Sequence, residues 1–302
     1  MIERHHLQLV KAIEQYGTVT KAAKHLFVSQ SALSHSMKKL EQSIGAKIWH
    51  KRGRTLVLTL EGQRLLKSAQ KILPQFENLE QQLQAMVKGV GGNIKIGIEC
   101  YPCFSWLLQV AAPFLKENPD VDVDLKNEFQ FGGIGALLNY EIDLLITPDP
   151  LYQSNLILNK VFDYEQVLVV NKTDILTSKP FIEPLDLTDK TLFTYPVERS
   201  RLDIFNQFLT PASIGVKQHK TLENTEMILQ MVKHHRGVAV LPDWLVAQEN
   251  CQDLVAVKIG KEGIHKSTFI AIRATDEDNS LIKRFIEQST LIDVNKKYGE
   301  IN

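Results

Sequence analysis

Five polar side chains lie near the start of a predicted helix, and their groups can form hydrogen bonds with the edges of DNA bases. They are Ser29, Gln30, Ser31, Ser34 and His35. A glutamine can bond adenine through two hydrogen bonds, and a serine hydroxyl can bond a base edge or a phosphate. Taken alone, each serine is more commonly a solvent-facing polar position. Their joint occurrence in a 91-residue stretch without Asp favours contact with nucleic acid.

Cationic side chains accompany this cluster at two places. Lys38 and Lys39 follow one helical turn later and could contact the phosphate backbone. Residues 48–58 contain two short runs of β-branched and aromatic residues around a basic turn with a glycine, a pattern typical of a hairpin. The cations of this hairpin are Lys51, Arg52 and Arg54. They could lie on phosphates or in the minor groove, although a basic turn is commonly only a solvated loop.

Three predicted helices position these groups. The first ends at Gly17, and the second covers 20–26, with Thr20 as its N-cap and as a further candidate for DNA contact. After a tight turn, the third helix starts at residue 30 or 31, ends at residue 43 and has Gly45 as its C-terminal stop. Two helices joined by such a turn form a helix-turn-helix, whose second helix enters the major groove.

A long helix is predicted over residues 60–88. Its apolar positions step by three or four and form a narrow stripe, which favours coiled-coil-like self-association. Pro74 lies inside this helix and should kink or interrupt it. The stripe comprises Leu65, Leu66, Ala69, Ile72, Leu73, Phe76, Leu79, Leu83 and Met86.

The net charge of zero hides two opposite halves. Residues 1–91 hold 14 Lys and Arg against six Glu, a net charge of +8, and the remaining residues carry −8. This asymmetry favours a nucleic-acid partner for the first part alone. The first residues lack the apolar core of a signal peptide, and no run of about 18 apolar residues could span a bilayer. We therefore expect a cytoplasmic protein without a membrane partner.

Two of the three cysteines, Cys100 and Cys103, follow a predicted strand and precede a helix. Three cysteines are too few for a secreted disulfide framework, and a reducing compartment fits better. Thiols at a helix N-terminus have a lowered pKa, so the pair could be a redox switch. It could also line a pocket, pack as small side chains, or form half of a metal site, although two ligands do not suffice for a metal.

Beyond residue 92, predicted strands and helices alternate, which indicates parallel α/β layers. Strands are predicted over 94–98, 121–128, 144–147, 161–171, 191–195, 238–241 and 268–273. Helices are predicted over 104–116, 202–209, 225–235 and 280–294.

The run from Ala22 to Gly45, followed by Leu56 to Gly62, resembles the N-terminal domain of LysR-type transcriptional regulators. Where that family has a Phe and then an Arg, this chain has Trp49, His50 and Lys51. The resemblance implies an all-α winged helix-turn-helix domain over 1–59, a linker and dimerisation helix over 60–89, and a two-lobed α/β effector domain over 93–302. That effector domain resembles periplasmic binding proteins, with one lobe at 93–163 plus 268–302 and the other at 164–267.

The same resemblance implies double-stranded promoter DNA, a homodimer that assembles into a homotetramer, and a small-molecule effector as partners. We expect no cofactor and no metal. Segments around Ile98–Trp106, 162–165, 195–203 and 208–212 are similar to a methionine-biosynthesis branch of the family, which implies homocysteine as the effector.

A cleft in such a domain lies at the carboxyl ends of strands, against helix N-termini. The effector candidates placed there are Cys100, Tyr101, Cys103, Phe131, Thr147, Pro148, Arg199, Ser200, Arg201 and Thr225. The arginines, Ser200 and Thr225 suit a carboxylate. Arg199 and Arg201 could equally form surface ion pairs, and Thr225 could act only as a helix N-cap.

The sequence predicts no enzyme, because it has no phosphate-binding glycine loop, no His-Glu-x-x-His and no Gly-x-Ser-x-Gly. The alternative function is a binding protein for amino-acid or sulfur metabolites that regulates no promoter. Binding to promoter DNA with a steep salt dependence would distinguish the two.

Overall fold

The computed structural model describes residues 2–53, 55–88, 91–126, 132–248, 252–292 and 294. The chain divides into two compact units. One comprises Met1–Gly92 with Leu138–Glu141, and the other comprises Asn93–Leu137 and Ile142–Asn302. Among the described residues, no helix is long and apolar enough to cross a membrane.

Three helices and a hairpin form the first unit, followed by a long helix. They are α1 (Arg4–Tyr16), α2 (Val19–His25), α3 (Gln30–Ile44), β1 (Trp49–Arg52), β2 (Thr55–Leu58) and α4 (Leu60–Lys88). The glycines Gly17 and Gly45 end α1 and α3 in the left-handed conformation, as predicted. β1 and β2 pair antiparallel, which confirms the hairpin.

The predicted N-cap of α2 is wrong. Thr18, not Thr20, has the extended backbone of an N-cap, and its hydroxyl accepts a hydrogen bond from the Lys21 backbone N–H at 3.3 Å. Thr20 lies in the first helical turn, where a side chain has no free N–H ahead of it to cap in this way.

The helix α4 runs unbroken through Pro74, so an interruption there is not observed. The proline removes one backbone donor, but Ala69 and Leu73, in the turns just before it, are buried in a core that α4 shares with α1 and keep the helix in place. The predicted stripe has two parts. Leu65, Ala69 and Leu73 belong to the core of the first unit, whereas Ile72, Phe76, Leu79 and Leu83 are exposed.

Nine strands of the described residues form one sheet in the second unit. They are β3 (Gly92–Ile98), β4 (Val121–Lys126), β5 (Leu144–Thr147), β6 (Leu156–Asn171), β7 (Thr191–Thr194), β8 (Gln218–Thr221), β9 (Val238–Pro242), β10 (Leu254–Lys258) and β11 (Ile264–Arg273). Their order is β4-β3-β5-β11-β6-β9-β7-β8, with β10 also on β6. The helices are α5 (Cys103–Glu117), α6 (Gly133–Leu138), α7 (Thr225–Lys233), α8 (Asp243–Gln248) and α9 (Ser280–Thr290).

The expectation of parallel layers is correct within each lobe but wrong at the centre of this sheet. β3 pairs parallel with β5, and β7 pairs parallel with β8 and β9. The long strands β6 and β11 instead pair antiparallel with each other and with their outer neighbours β9 and β5. They join a first lobe, containing β3 to β5, to a second lobe, containing β7 to β9.

Several elements of the second lobe were not predicted. The strands β8 and β10 and the helix α8 are short, and β8 is largely exposed, so the apolar pattern that marks a strand is weak. The helix predicted over 202–209 is a π-helical segment, Ile204–Leu209, preceded by a 3₁₀ turn, Arg199–Arg201. Arg201, the last residue of this turn, contacts Asp149, just beyond the end of β5.

Candidate DNA-binding surface and ligand cleft

The polar start of α3 lies on the surface of the first unit. The Ser29 hydroxyl accepts a hydrogen bond from the Ala32 backbone N–H at 3.1 Å and lies 3.0 Å from the Ser31 hydroxyl. Gln30 Nε2 donates to Ser34 Oγ at 3.4 Å. Ser29, Gln30 and Ser31 are exposed and Ser34 is half-buried. These side-chain contacts are long or exposed, so base edges could replace them at low cost.

The cations predicted to contact phosphates are also on the surface. Lys38, Lys39, Lys51 and Arg52 are exposed, and so are the other two candidates for DNA contact, His35 on α3 and Thr20 on α2. Arg54 lies outside the described residues.

Glu41 fixes the hairpin against the end of α3, a role that the sequence analysis missed. Its carboxylate accepts hydrogen bonds from Lys47 Nζ at 2.7 Å and from the Ile48 backbone N–H at 3.0 Å. Burial by itself raises the pKa of Glu41, but these donors and the Trp49 N–H outweigh it and lower the pKa below its usual value. The carboxylate therefore stays ionised and holds the cationic hairpin beside α3.

The second half of α4 has an exposed apolar face. It consists of Ile72, Phe76, Leu79, Leu83 and Val87. Their spacing of three or four residues places them on one side of the helix. Arg4 of α1 lies over the Phe76 ring, with its guanidinium carbon 5.5 Å from the centroid, and pairs with Glu80. We call these five residues the α4 face.

In the second unit, the buried carboxylate of Glu99 lies where β3 ends. It accepts hydrogen bonds from the Gly133 backbone N–H at 2.9 Å and from Thr147 Oγ1 at 2.8 Å. A Cβ at position 133 would lie 2.5 Å from a Leu145 methyl carbon, so a larger residue there would require the buried Leu145 side chain to shift. Three elements, β3, β5 and α6, thus converge on one carboxylate.

Ion pairs cross from the first lobe to the second beside Glu99. Asp149, which follows β5, accepts hydrogen bonds from Arg201 Nε at 2.9 Å and from Lys266 Nζ at 2.8 Å. Lys266 also lies 2.7 Å from Asp203, and Arg201 lies 3.8 Å from Glu99. We call these five side chains the cleft ion network. It brings three carboxylates and two cations together around one cavity.

Aromatic rings form the wall of this cavity. Tyr101 of the first lobe stacks on Tyr195 of the second, with centroids 5.0 Å apart and planes within 5° of parallel. The Tyr195 hydroxyl lies 2.7 Å from the Thr225 hydroxyl at the start of α7. Tyr101 and Thr225 also line a second cavity on the other side. The burial of Tyr164, deeper in the first cavity, raises the pKa of its hydroxyl, and Asp149 adds to this effect.

Cys100 and Cys103 form a disulfide at the N-terminus of α5. Cys100 lines both cavities, whereas Cys103 is buried beneath it in the core. Cys100 therefore lies in the wall that carries Tyr101, and the disulfide joins it to the first residue of α5. Among the described residues, no group of His, Cys, Asp and Glu side chains could hold a metal ion.

Two family models together match most of the chain. The model of the bacterial regulatory helix-turn-helix proteins of the lysR family matches residues 4–63, and the LysR substrate binding domain model matches residues 88–290. The chain belongs to the LysR family of regulators. The expected fold class, a helix-turn-helix domain with a long linker helix followed by a two-lobed α/β domain, is thereby confirmed.

Individual LysR-family proteins are similar over nearly the whole chain. The transcriptional regulator MetR of Escherichia coli is 36% identical over 289 residues, which cover 96% of this chain and 90% of that protein. MetR of Haemophilus influenzae is 31% identical, with 95% and 93% covered. The regulatory domain of MetR from Neisseria meningitidis matches with a TM-score of 0.60 at 30% identity, over 66% of this chain and 92% of that domain.

Full-length CbnR in complex with its target DNA shares the fold, with a TM-score of 0.69 at 19% identity, over 95% of this chain and 99% of that one.

The structure of this LysR-family chain brings some of the predicted effector residues together and leaves others apart. Cys100, Tyr101, Pro148, Arg201 and Thr225 line the two cavities. Thr147 lies behind Glu99 and is fully buried. The N-cap of α7 is Asn224, which accepts from the Met227 N–H at 2.9 Å, so the alternative reading of Thr225 as that N-cap is wrong.

The remaining candidates are Arg199, Ser200 and Phe131. The Arg199 guanidinium carbon is 4.1 Å from the centroid of Phe205, on which it stacks, and Ser200 donates to Glu198 at 3.4 Å. Neither belongs to the cavity linings. Phe131 lies outside the described residues.

Four members of the cleft ion network are not among the effector candidates chosen from the sequence: Glu99, Asp149, Asp203 and Lys266. The first two directly follow strands β3 and β5, a position that marks a cleft residue in an α/β sheet. Lys266 lies within the long strand β11, and no local pattern connects it with Asp149, 117 residues earlier.

Proposed function

We propose that this protein regulates the transcription of methionine-biosynthesis genes, binding their promoters through α3 and the hairpin and responding to homocysteine in the cleft. The observation that carries the proposal is the exposed row of polar side chains at the start of α3, within residues 1–91, which have a net charge of +8. DNA attracts such a unit through counterion release, and α3 supplies the sequence preference. A DNA partner also favours the cytoplasm as the site of action.

The cleft supports an amino acid as the effector. We propose that its lobes are residues 93–163 with 268–302, and residues 164–267. Homocysteine has a carboxylate, an ammonium group and a thiol. Arg201 and Lys266 suit the carboxylate, and Glu99 and Asp149 suit the ammonium group. The Tyr101 ring and the Cys100 sulfur offer polarizable surface for the thiol-bearing chain.

The α4 face supports a homodimer, and pairing of dimers into a homotetramer is the assembly that we propose. An exposed apolar row of this length on one helix is costly in water unless a second copy covers it. Two paired chains would present two α3 helices to an interrupted palindrome, with half-sites one helical turn of DNA or a multiple apart.

The salt dependence of DNA binding tests the regulatory part of the proposal. Full-length protein should retard methionine-gene promoter fragments, and its affinity should fall steeply between 50 and 200 mM salt, as counterion release requires. Ser31→Ala should weaken binding to these fragments more than binding to random DNA. Absent or salt-insensitive binding to DNA would favour the alternative function, that of a metabolite-binding protein that regulates no promoter.

Calorimetry tests the effector. Titration of the full-length protein with homocysteine should give saturable heat, and methionine serves as the comparison ligand. A flat response to homocysteine would contradict the proposed effector and leave membership of the LysR family unaffected.

A further inference from the structure

Phe27, in the turn between α2 and α3, has an unusual environment for an aromatic side chain. Its side chain is 96% exposed, more than any other large apolar residue described. The neighbouring Val28 is also exposed, at 45%. An exposed phenylalanine contributes no packing to the fold, so nothing in the first unit accounts for a ring at this position.

The backbone at Phe27 adds to the cost. Its φ of +55° lies in the left-handed region, which glycine and asparagine adopt far more readily than an aromatic residue. Hydrogen bonds from the Phe27 N–H to Lys24 O at 3.3 Å and from the Val28 N–H to Ala23 O at 3.0 Å fix this turn. The fold thus requires the left-handed backbone but does not require the ring.

The position of Phe27 places it beside the groups that read DNA. It lies two residues before Ser29, the N-cap of α3, and therefore at the same end of that helix as Gln30 and Ser31. In a helix-turn-helix, this end of the second helix enters the major groove. The other candidates there are polar, and an apolar ring supplies the one contact they lack, that with the methyl group of thymine.

We infer that Phe27 packs on thymine methyl groups in the major groove, next to the bases contacted by α3, and makes the protein prefer thymine at that point of each half-site. The inference rests on the proposed function, in which α3 is the recognition helix. The ring continues the surface formed by Ser29, Gln30 and Ser31, and DNA is the occupant that this surface fits.

Replacement of thymine by deoxyuridine tests the contact without altering the protein. An operator is first selected from random duplexes by the full-length protein, and each thymine is then replaced in turn by deoxyuridine, which removes only the methyl group. At one or two positions per half-site, this replacement should lower the affinity of the protein for the operator about three- to fourfold, the loss expected for one buried methyl group. A flat profile would overturn the inference.

The variant Phe27→Asn completes a double-mutant cycle. Asparagine tolerates the left-handed backbone, so the melting temperature should stay the same or rise. Operator affinity should fall roughly tenfold. The deoxyuridine replacements that weaken binding of the wild type should no longer change the affinity of the variant. The control is Leu185→Asn, which removes an apolar side chain of the second unit that is 71% exposed. It should change neither the operator affinity nor the deoxyuridine profile.

The outcomes separate this inference from the proposed function. If the wild-type protein selects no operator, the proposed function fails and the inference fails with it. If it selects one and Phe27→Asn binds with unchanged affinity and an unchanged deoxyuridine profile, the inference alone is overturned. Unchanged DNA binding with lost promoter activation would also overturn it, because the ring would then serve a protein partner.

Discussion

Arg201 donates to Asp149 and lies 3.8 Å from Glu99, so a ligand carboxylate that enters the cleft competes with protein carboxylates for one guanidinium. An amino acid has a charged group for each partner, a carboxylate for the guanidinium and an ammonium group for the protein carboxylates. Its carboxylate would take the place of Asp149 at Arg201, and its ammonium group would meet the acidic groups released. Because Asp149 and Arg201 belong to different lobes, such an exchange alters the contact between the lobes.

The neighbouring arginines allow a matched test at the residue scale. Arg201→Gln should lower the affinity for homocysteine roughly tenfold to a hundredfold, since a charge-assisted hydrogen bond is lost. Arg199→Gln removes a guanidinium that stacks on Phe205 outside the cavity linings, and it should leave this affinity unchanged. Calorimetry on both variants measures the difference. Equal losses would contradict the role given to Arg201.

The pH range of the cleft ion network follows from two pKa shifts. Burial raises the pKa of Asp149, but Lys266 and Arg201 outweigh it and lower the pKa below its usual value. Burial lowers the pKa of Lys266, but Asp149 and Asp203 outweigh it and raise the pKa. The stabilisation by Asp149 is complete above its unfolded pKa of about 4 and is lost as the pH falls through the lower folded value. That by Lys266 is complete below about 10.4 and is lost as the pH rises through the higher folded value.

We therefore expect the free energy of unfolding of the wild type and of Asp149→Asn to differ by a constant amount between about pH 5 and 9. Below about pH 4, the difference should shrink as Asp149 becomes protonated. Denaturant titrations over this range measure it. A difference that changes between pH 6 and 8 would show that another group controls the network.

At this scale, the sequence allowed prediction of residues that follow strands, such as Cys100, Tyr101 and Arg201, because strand ends are readable from local patterns. It did not reveal that Asp149 pairs with Lys266, because the two residues are 117 positions apart and meet only through the antiparallel pairing of β11. Arg199 was predicted with Arg201, but the 3₁₀ turn that contains both places only one of them at the cavity.

The two halves of α4 have different surroundings. Leu65, Ala69 and Leu73 anchor its first half in the core of the first unit, and the α4 face leaves its second half uncovered. The apolar periodicity predicted the helix and its stripe correctly, but it could not show where the stripe passes from core to surface. That division lies where α1 begins, because Arg4, its first residue, contacts Phe76 and Glu80, and tertiary packing decides this position.

A charge in the α4 face should prevent self-association. Leu79→Glu would bury a carboxylate between two helices, so the dissociation constant of the dimer should rise roughly a hundredfold. Leu60→Glu is the control, because this exposed leucine on the same helix lies at its other end and on another side. Analytical ultracentrifugation measures both. A dimer of unchanged affinity in Leu79→Glu would assign the α4 face to something other than self-association.

The disulfide connects Cys100, in the loop after β3, with Cys103, the first residue of α5, beside the cleft. We expect the double variant Cys100→Ser/Cys103→Ser to weaken the response to homocysteine, because it changes the wall that carries Tyr101. Operator binding without homocysteine should remain, since these residues lie in the second unit. Cys251→Ser, at the third cysteine of the chain, is the control. Loss of DNA binding in the double variant would contradict this assignment.

On the scale of the whole molecule, the opposite charges of the two parts agree with the proposed division of labour. The +8 segment contains the candidate DNA-binding surface, and the −8 remainder should be repelled by phosphates, which keeps the ligand-binding lobes off the duplex. The division was readable from composition. The mixed sheet was not, because β6 and β11 look like ordinary buried strands and only their long-range pairing shows that they link two lobes.

The coupling of homocysteine to promoter binding is the central claim, and a footprint of the full-length protein on a methionine-gene promoter tests it most directly. The protein should protect two half-sites at low salt, and saturating homocysteine should change the extent or the affinity of that protection. The Arg201→Gln variant should protect the same half-sites without responding. Protection that homocysteine leaves unchanged in the wild type, or no protected sequence at all, would contradict the account.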